Sequence, residues 1–119
     1  MIVIPLAHMQ AYLDRYSQPD KAGLGMDVAS RWPVPYWLVD ASMAAMLVLL
    51  AAVEEGLGAW LFGIFHGQEQ LLADLGVPPG YEAIGAIALG FPSAEDTPAG
   101  SALSRRRRPL DDIVHWGRW

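Results

Sequence analysis

Apolar residues are concentrated in the middle of the chain, in the stretch Asp40–Phe65 (DASMAAMLVLLAAVEEGLGAWLFGIF). From Ser42 to Val53 this stretch contains no charge, proline or glycine, and Ala, Met and Leu are good helix formers. The apolar side chains lie all round the predicted helix, which is typical of a helix covered by protein on every side. The run is also shorter than the roughly 20 residues that a membrane-spanning helix needs. We therefore predict a long, buried helix.

The residues at both ends of this stretch predict where the helix begins and ends. Asp40 is the predicted N-cap, because its carboxylate can accept a backbone N–H and suits the positive end of the helix dipole. Gly56 and Gly58 are predicted to end the helix, since glycine tolerates the left-handed conformation beyond a C-terminus. The bulky segment Ala59–Phe65 then predicts a short strand or an extended turn.

The segments before the central helix are less regular. Met1–Leu6 (MIVIPL) predicts a short strand, rich in β-branched residues and stopped by proline. His8–Tyr16 predicts a helical turn or two, and Ser17–Ser30 has the Gly, Pro, Asp and Ser content of a loop. Trp32–Trp37 (WPVPYW) is predicted to be extended, because a residue before proline is pushed out of the helical region.

The segments after the central helix predict one more helix and one more strand. His66–Leu75 has the pattern of an amphipathic helix, with Leu71, Leu72 and Leu75 facing inward and Gly76 closing it. The rest of the chain is predicted as a turn (77–80), an apolar strand covered on both faces (Tyr81–Leu89), a loop (Gly90–Ser104) and a tail (105–119) whose apolar residues need a partner surface.

The composition predicts one domain, residues 1–119, that associates with a second subunit. Hydrophobic residues make up 53% of the 119 residues and charged residues only 18%. A chain this small has little interior in which to bury five Trp, four Tyr and three Phe. The absence of cysteine excludes a disulfide framework, a thiolate metal site and a cysteine nucleophile. Met1 is not followed by a signal-peptide pattern, so the expected compartment is the cytoplasm.

Four consecutive arginines, Arg105–Arg108 (the arginine run), stand out in a chain of net charge −5. Two converging guanidinium groups bind phosphate through charge-assisted, bidentate hydrogen bonds, so the run is a candidate anion site. A solvated charge run, a basic patch for RNA and a localisation signal are the alternatives that the pattern alone leaves open.

Other candidate chemistry is weaker. Gly56-Leu57-Gly58 follows a predicted helix, whereas a dinucleotide fingerprint follows a strand, so we interpret it as a helix end. His8, His66 and His115 have no partner at helical spacing, so no metal site is expected. No nucleophile–base arrangement or facing pair of carboxylates is present in the pattern, and the catalytic residues stay unknown. The residues alone thus predict an oligomeric α+β protein with one candidate phosphate site.

Three motifs in this order resemble the C-terminal half of FMN-dependent nitroreductases. They are the central stretch Asp40–Phe65, the segment LGVPPGYEAIGAIALGFP (75–92) and the segment RRRRPLDDIVHW (105–116). The family pattern is a buried helix followed by GLG, an apolar strand, a final strand ending in Gly, an aromatic residue and Pro, and a basic pair before proline. The resemblance covers residues 33–119 well and the first 20 residues more weakly.

The resemblance implies an α+β fold, with a mixed sheet flanked by helices, that works as an intertwined homodimer. It implies that the long helix packs in the dimer interface, that the tail embraces the partner, and that two FMN sites lie between the subunits. By position, Leu61, Phe62 and Gly63 match the segment beside the isoalloxazine ring, and Arg106 and Arg108 match the basic pair that holds the FMN phosphate. In family chemistry the flavin takes hydride from NAD(P)H and passes electrons to a nitro compound, a quinone or a similar small molecule.

One departure from the family pattern separates three hypotheses. Family members are roughly twice as long, and their first half carries an R-x-S-x-R-type motif that grips the flavin, which Arg15 and Arg31 do not match. We therefore expect a fold that is incomplete at its N-terminus. The chain is then a flavin oxidoreductase half, or a non-catalytic dimerisation or binding module that lost the flavin. An RNA-binding role is disfavoured by the overall acidity and by the lack of aromatic residues interleaved with the arginine run.

Overall fold

The computed structural model describes residues 1–95 and 104–119, and it confirms the predicted α+β class. The described residues form three α-helices and five short strands. In chain order these are β1 (Ile2–Val3), β2 (Leu6–His8), α1 (Met9–Tyr16), α2 (Tyr36–Glu54), β3 (Gly58–Phe62), α3 (Gln68–Asp74), β4 (Tyr81–Ala83) and β5 (Ala86–Gly90). Two single 3₁₀ turns lie at Ala29–Arg31 and Leu110–Asp112.

The strands form two antiparallel sheets that share no strand. One sheet has the order β1-β5-β3, and the other pairs β2 with β4. In the first sheet Ile87 lies opposite both Val3 and Leu61, and Ala88 lies opposite both Ile2 and Trp60. Because side chains alternate between the two faces of a strand, these two rows face opposite sides of the sheet.

Helix α2 covers the face that carries Ile87. The helix packs against β2, β3 and β5, and its buried residues are Ala45 and Ala52, seven positions apart and therefore on one side of the helix. These methyl side chains let the helix backbone approach the sheet closely. Ile87 is completely buried, so the small hydrophobic core of the chain lies between α2 and the centre of the three-stranded sheet.

The start of α2 differs from the prediction. The helix begins at Tyr36, immediately after Pro35, so Tyr36 and Trp37 are helical and not extended as predicted. Proline fixes its own φ near the helical value and loses no hydrogen bond at a helix start, so it favours a helix immediately after itself. Asp40 is consequently inside the helix, and the prediction that it caps the N-terminus is wrong.

Of the two glycines predicted to end α2, Gly56 and Gly58, only Gly56 does so. Gly56 follows the C-cap residue Glu55 and has φ of +72°, the left-handed conformation expected beyond a C-terminus. Gly58 is the first residue of β3 and has no part in ending the helix.

Within one chain, α2 is not covered on all sides as its apolar pattern predicts. Only Ala45 and Ala52 are buried, and the side of the helix away from the sheet is exposed. We call this exposed side the α2 stripe; it consists of Met43, Met46, Leu47, Leu50 and Val53. With 19 residues, α2 is by length and composition able to cross a membrane, a property that core helices of soluble proteins share. The prediction that the apolar run is too short to span a bilayer is therefore wrong.

Several shorter elements confirm or correct the sequence analysis. Helices α1 and α3 lie within the ranges predicted to be helical, and Gly76 adopts φ of +69° directly after Leu75. The single strand predicted for Met1–Leu6 is interrupted near Pro5, and the one predicted for Tyr81–Leu89 is interrupted at Gly85. Proline has no N–H for a ladder, and Gly85 has φ of +149°, which an ordinary strand residue does not adopt. Most of the loop predicted for Gly90–Ser104 lies outside the described residues.

An aromatic cluster fastens α1 to the start of α2. Trp32 makes ring contacts with Tyr12, Tyr16, Tyr36 and Trp37, with centroids 4.8–6.3 Å apart. The Tyr12 hydroxyl also donates a hydrogen bond to the Asp40 carboxylate. Partial burial, followed by this hydrogen bond and the carboxylate charge, raises the pKa of Tyr12 from 10.0 to about 12.

The raised pKa of Tyr12 predicts a loss of stability at alkaline pH. Its folded pKa lies above its unfolded pKa, so the pairing stabilises the fold below pH 10 and is lost as pH rises through about 12. We expect the urea concentration at the unfolding midpoint to decrease as the pH is raised from 10 to about 12. The Tyr12→Phe variant should lack the part of this decrease that the Tyr12 hydroxyl causes. Equal pH dependence in the two proteins would contradict the role of this hydroxyl.

The chain leaves much more surface exposed than a compact protein of its size. Its radius of gyration is 18.8 Å, whereas a compact domain of this length has about 13.5 Å. Its accessible surface is 9586 Å², against about 6,300 Å² for a folded monomer of equal mass. The described tail contributes to this excess, since Trp119 is 98% exposed. Roughly 3,200 Å² per chain is therefore exposed that a compact monomer would bury.

Candidate functional site

An apolar groove of about 880 Å³ lies on the face of the sheet opposite α2. The register places Ile2, Phe62 and Ala86 on this face, and all three line the groove. Helix α3 and the turn after it close the other side through Leu71 and Val77. The further lining residues are Ile4, Leu6, Gly63, Ile64, Phe65, His66 and Leu75. Of residues 1–95 and 104–119, no acid, lysine or arginine lines this groove, so it suits a flat and largely uncharged group.

The end of β3 supplies one wall of the apolar groove. Phe62 packs against Trp60 with ring centroids 5.0 Å apart, as expected for two side chains on the same face of one strand. At Gly63 a Cβ atom would lie 2.7 Å from the Phe65 ring, so the missing side chain lets that ring rest on the backbone. Phe65 itself is 87% exposed, and its ring is available to a ligand in the groove.

The backbone of Gly85 lies close against the backbone of Phe62. Gly85 is buried, its φ is +149°, and a Cβ atom built on it would lie 2.7 Å from the Phe62 carbonyl oxygen. Because that oxygen belongs to the backbone, a side chain at position 85 can be accommodated only by moving β3. The shape of the groove wall at Phe62 therefore depends on a glycine at this position.

We expect the Gly85→Ala substitution to lower the free energy of unfolding by about 2–3 kcal/mol, the cost of backbone strain together with the contact to β3. Gly90→Ala is the matched control, because a Cβ atom at Gly90 meets no atom within 4 Å and its φ is not positive. The control should stay within about 0.5 kcal/mol of the original protein. Urea denaturation measures both; equal midpoints would contradict the close packing of Gly85 on Phe62.

The structure separates the three residues that the resemblance places beside a flavin ring. Phe62 and Gly63 line the apolar groove, whereas Leu61 lies in the same row as Ile87, on the face towards α2. Two of the three predicted residues therefore share one surface. A role for Leu61 at that surface would have to come from its backbone.

A second depression, the arginine groove, has a volume of about 420 Å³ and is lined by Arg105, Arg106, Arg107, Arg108 and Ile113. The arginine run contains no helix or strand and leads through Pro109 into the 3₁₀ turn at Leu110–Asp112. Arg108 donates a hydrogen bond to the backbone carbonyl of Asp112, which orients its guanidinium group. In the described part of the chain, no arginine of the run forms an ion pair.

Among the residues that the structure describes, none lines both depressions. Phe62 and Gly63 therefore do not share a depression with Arg106 and Arg108 within one chain. A ligand that needs both an apolar ring site and an anion site would have to reach from one depression to the other, or bind where a second copy of the chain brings the two together.

The remaining candidate residues have local partners. Arg15 forms an ion pair with Asp20 at 2.7 Å, and Arg31 donates to the carbonyl of Gly25 at 3.1 Å. His8 stacks on Tyr81 with ring centroids 4.4 Å apart. Across residues 1–95 and 104–119, no three His, Asp or Glu side chains are grouped so that they could hold a metal ion.

Sequence reasoning missed most residues of the apolar groove. Ile2 and Ile4 alternate along MIVIPL, a signal that they share one face of a strand, but the sequence does not show that β1 pairs with β5. The sequence pattern places Phe65 at the end of one predicted segment and His66 at the start of the next. Their position at the groove follows only from how α3 packs beside the sheet.

Comparisons with known proteins agree on one family. The family model described as the nitroreductase family matches residues 24–91, which is more than half of the chain. An Archaeoglobus fulgidus protein named as an NADH dehydrogenase/NAD(P)H nitroreductase is 32% identical over 69 residues, which cover 56% of this chain and 40% of that protein. The match thus spans well under half the length of this relative.

Solved structures of the same family share the fold. An FMN-dependent nitroreductase from Clostridium difficile superimposes with a TM-score of 0.55 at 18% identity, over 99% of this chain and 76% of that one. A Bacteroides thetaiotaomicron protein, again named as an NADH dehydrogenase/NAD(P)H nitroreductase, gives 0.54 at 21% identity, over 99% and 73%. With the three motifs and the α+β fold, these matches confirm the resemblance: the chain belongs to the nitroreductase family.

Proposed function

We propose that this protein is a flavin-dependent oxidoreductase of the nitroreductase type, which uses FMN to carry electrons from NAD(P)H to a small acceptor. The observation that carries the proposal is the apolar groove at the end of β3. It is lined by Phe62 and Gly63, inside the part of the chain that the family model matches.

The residues present fit the two parts of FMN separately. The apolar groove, at about 880 Å³, has the size of pockets that hold ring-containing ligands, and none of its lining residues in the described part of the chain is an acid, a lysine or an arginine. The arginine groove offers guanidinium groups that form no ion pair in residues 1–95 and 104–119, which fits a phosphate. An uncharged ring site and a cationic site are the two environments that FMN requires.

Each set of residues has a physical task in the proposed site. Phe62 and Phe65 would lie beside the ring and exclude water, and Gly63 would let the ring approach the backbone. Arg106 and Arg108 would hold the phosphate through charge-assisted hydrogen bonds. When bound, FMN supplies the redox chemistry: it accepts hydride from NAD(P)H and delivers electrons to a nitro compound or a quinone-like acceptor.

The proposed site is assembled from two copies of the chain. In the described residues the apolar groove and the arginine groove share no lining residue, which supports a site in which the tail of a second copy supplies the arginines. The excess surface of roughly 3,200 Å² per chain supports this arrangement, since obligate dimers bury about 2,000–5,000 Å² or more in total. The α2 stripe supplies an apolar patch for the same contact.

A second candidate function is a non-catalytic dimerisation or binding module that has kept the fold without the flavin. It is favoured by the separation of the two depressions within the chain and by the match to only 40% of the Archaeoglobus fulgidus relative. The two functions differ in one property, the retention of FMN.

The visible absorption spectrum of the purified protein tests this difference. We expect a flavin spectrum to persist after FMN is added and the free flavin is dialysed away, and NADH or NADPH to bleach it without oxygen. Bovine serum albumin treated in the same way controls for non-specific retention. A protein that releases all added FMN would overturn the oxidoreductase proposal and favour the binding module.

A further inference from the structure

The arginine run contains twice as many cations as the proposed flavin site uses. Arg106 and Arg108 are assigned to the FMN phosphate, yet Arg105 and Arg107 line the same groove. The following inference about this second pair rests on the proposed function and concerns which reductant the site prefers.

The local charge balance leaves room for a second anion. Four guanidinium groups surround the arginine groove, and none forms an ion pair with a carboxylate in the part of the chain that the structure describes. Asp111 and Asp112 follow closely in sequence, but Arg108 contacts the Asp112 backbone carbonyl and not its carboxylate. A phosphate monoester carries about −1.5 to −2 charges near neutral pH, so one FMN phosphate balances only about half of the run.

The spacing of Arg105 and Arg107 suits joint binding of one group. They lie two residues apart in a segment without helix or strand, and both side chains line the arginine groove. Arg106 and Arg108 have the same spacing, and Pro109 favours an extended conformation for Arg108 before it. Because all four arginines line this one groove, Arg105 and Arg107 stay available for a second anion when Arg106 and Arg108 hold the FMN phosphate.

We propose that Arg105 and Arg107 bind the 2′-phosphate of NADPH, so that the protein prefers NADPH to NADH. The two dinucleotides differ only by this phosphate monoester, which is the group that a pair of guanidinium ions recognises best. The contact is a binding interaction and changes no bond. It selects the electron donor of the proposed reaction.

Binding of the oxidised dinucleotides tests the inference without turnover. With FMN at saturation and at low ionic strength, calorimetric titration should show NADP⁺ binding about tenfold more tightly than NAD⁺, the lower end of the range for hydrogen bonds to a charged group. Added salt should reduce this ratio, because the arginines are exposed and their charges are screened.

Three variants separate the two arginine pairs. In Arg105→Gln/Arg107→Gln the NADP⁺/NAD⁺ ratio should fall close to one while FMN affinity is retained. In Arg106→Gln/Arg108→Gln the FMN affinity should fall instead. Arg118→Gln is the control, because it removes an exposed charge of the tail outside the groove and should change neither property.

Equal affinity of the original protein for NADP⁺ and NAD⁺ would overturn the inference. So would a ratio that Arg105→Gln/Arg107→Gln leaves unchanged, or equal loss of both ligands in the two double variants. If the protein binds no FMN, the proposed function is contradicted, and this result is distinct from a failure of the inference about Arg105 and Arg107. The titrations are then made on the flavin-free protein, where equal binding, or no binding, of the two dinucleotides overturns the inference as well.

Discussion

The Leu47→Asp variant is expected to be monomeric under conditions where the original protein is a dimer. Leu47 lies in the middle of the α2 stripe and is 66% exposed in the single chain. In a two-fold dimer the substitution occurs twice. Each copy loses the burial of a leucine, about 1.5–3 kcal/mol, and places a carboxylate in an apolar contact. The dimer should therefore be weakened by at least about 4 kcal/mol, or roughly a thousandfold in its dissociation constant.

Sedimentation velocity at micromolar concentration, without detergent, measures this effect. Leu24→Asp is the matched control, because Leu24 is 61% exposed but lies in the loop before α2, outside the stripe. Circular dichroism should show the same helix content in all three proteins, since Leu47 is not part of the core. A monomeric original protein would contradict the proposed dimer, and its partition into lipid vesicles would assign the α2 stripe to a membrane instead.

The sequence predicted those features of the fold that local patterns determine. Helix propensity located α2, the amphipathic spacing of Leu71 and Leu72 located α3, and Gly56 and Gly76 marked the ends of these two helices. The order of the motifs identified the family. Each of these signals lies within a few residues of the feature that it predicts, so no knowledge of distant contacts is needed.

The features that the sequence did not predict depend on distant or external contacts. Apolar residues on every side of α2 indicate that the helix is buried by other protein surfaces, but they do not show whether the same chain or a second copy provides those surfaces. The break at Gly85 follows from its close contact with the Phe62 carbonyl, which the apolar pattern of YEAIGAIAL does not show. The apolar groove forms because β1 pairs with β5, more than eighty residues away, with the Met1 carbonyl accepting a hydrogen bond from the Leu89 N–H.

The candidate site was predicted in part for the same reason. The resemblance gave Phe62 and Gly63, which the structure places at the apolar groove, and Arg106 and Arg108, which line a separate one. Motif positions assign a role to each residue but do not show which residues lie in the same depression. Whether the two depressions form one site is a property of the assembly.

The Arg106→Ala/Arg108→Ala variant is expected to lose FMN but not its fold. Both side chains are exposed, and in the described residues neither forms an ion pair, so removing them should leave the thermal midpoint nearly unchanged. Loss of two charge-assisted hydrogen bonds, reduced by solvent screening, should raise the FMN dissociation constant about a hundredfold. Flavin fluorescence quenching measures this constant.

Riboflavin makes the experiment specific to the phosphate. It has the same ring as FMN but no phosphate, so its affinity should be equal, and weak, in the original protein and in the double variant. If the arginines contact the phosphate, FMN should bind to the double variant no better than riboflavin does. An FMN affinity that survives the substitution would remove Arg106 and Arg108 from the site. A parallel loss of riboflavin would show instead that the tail shapes the ring pocket.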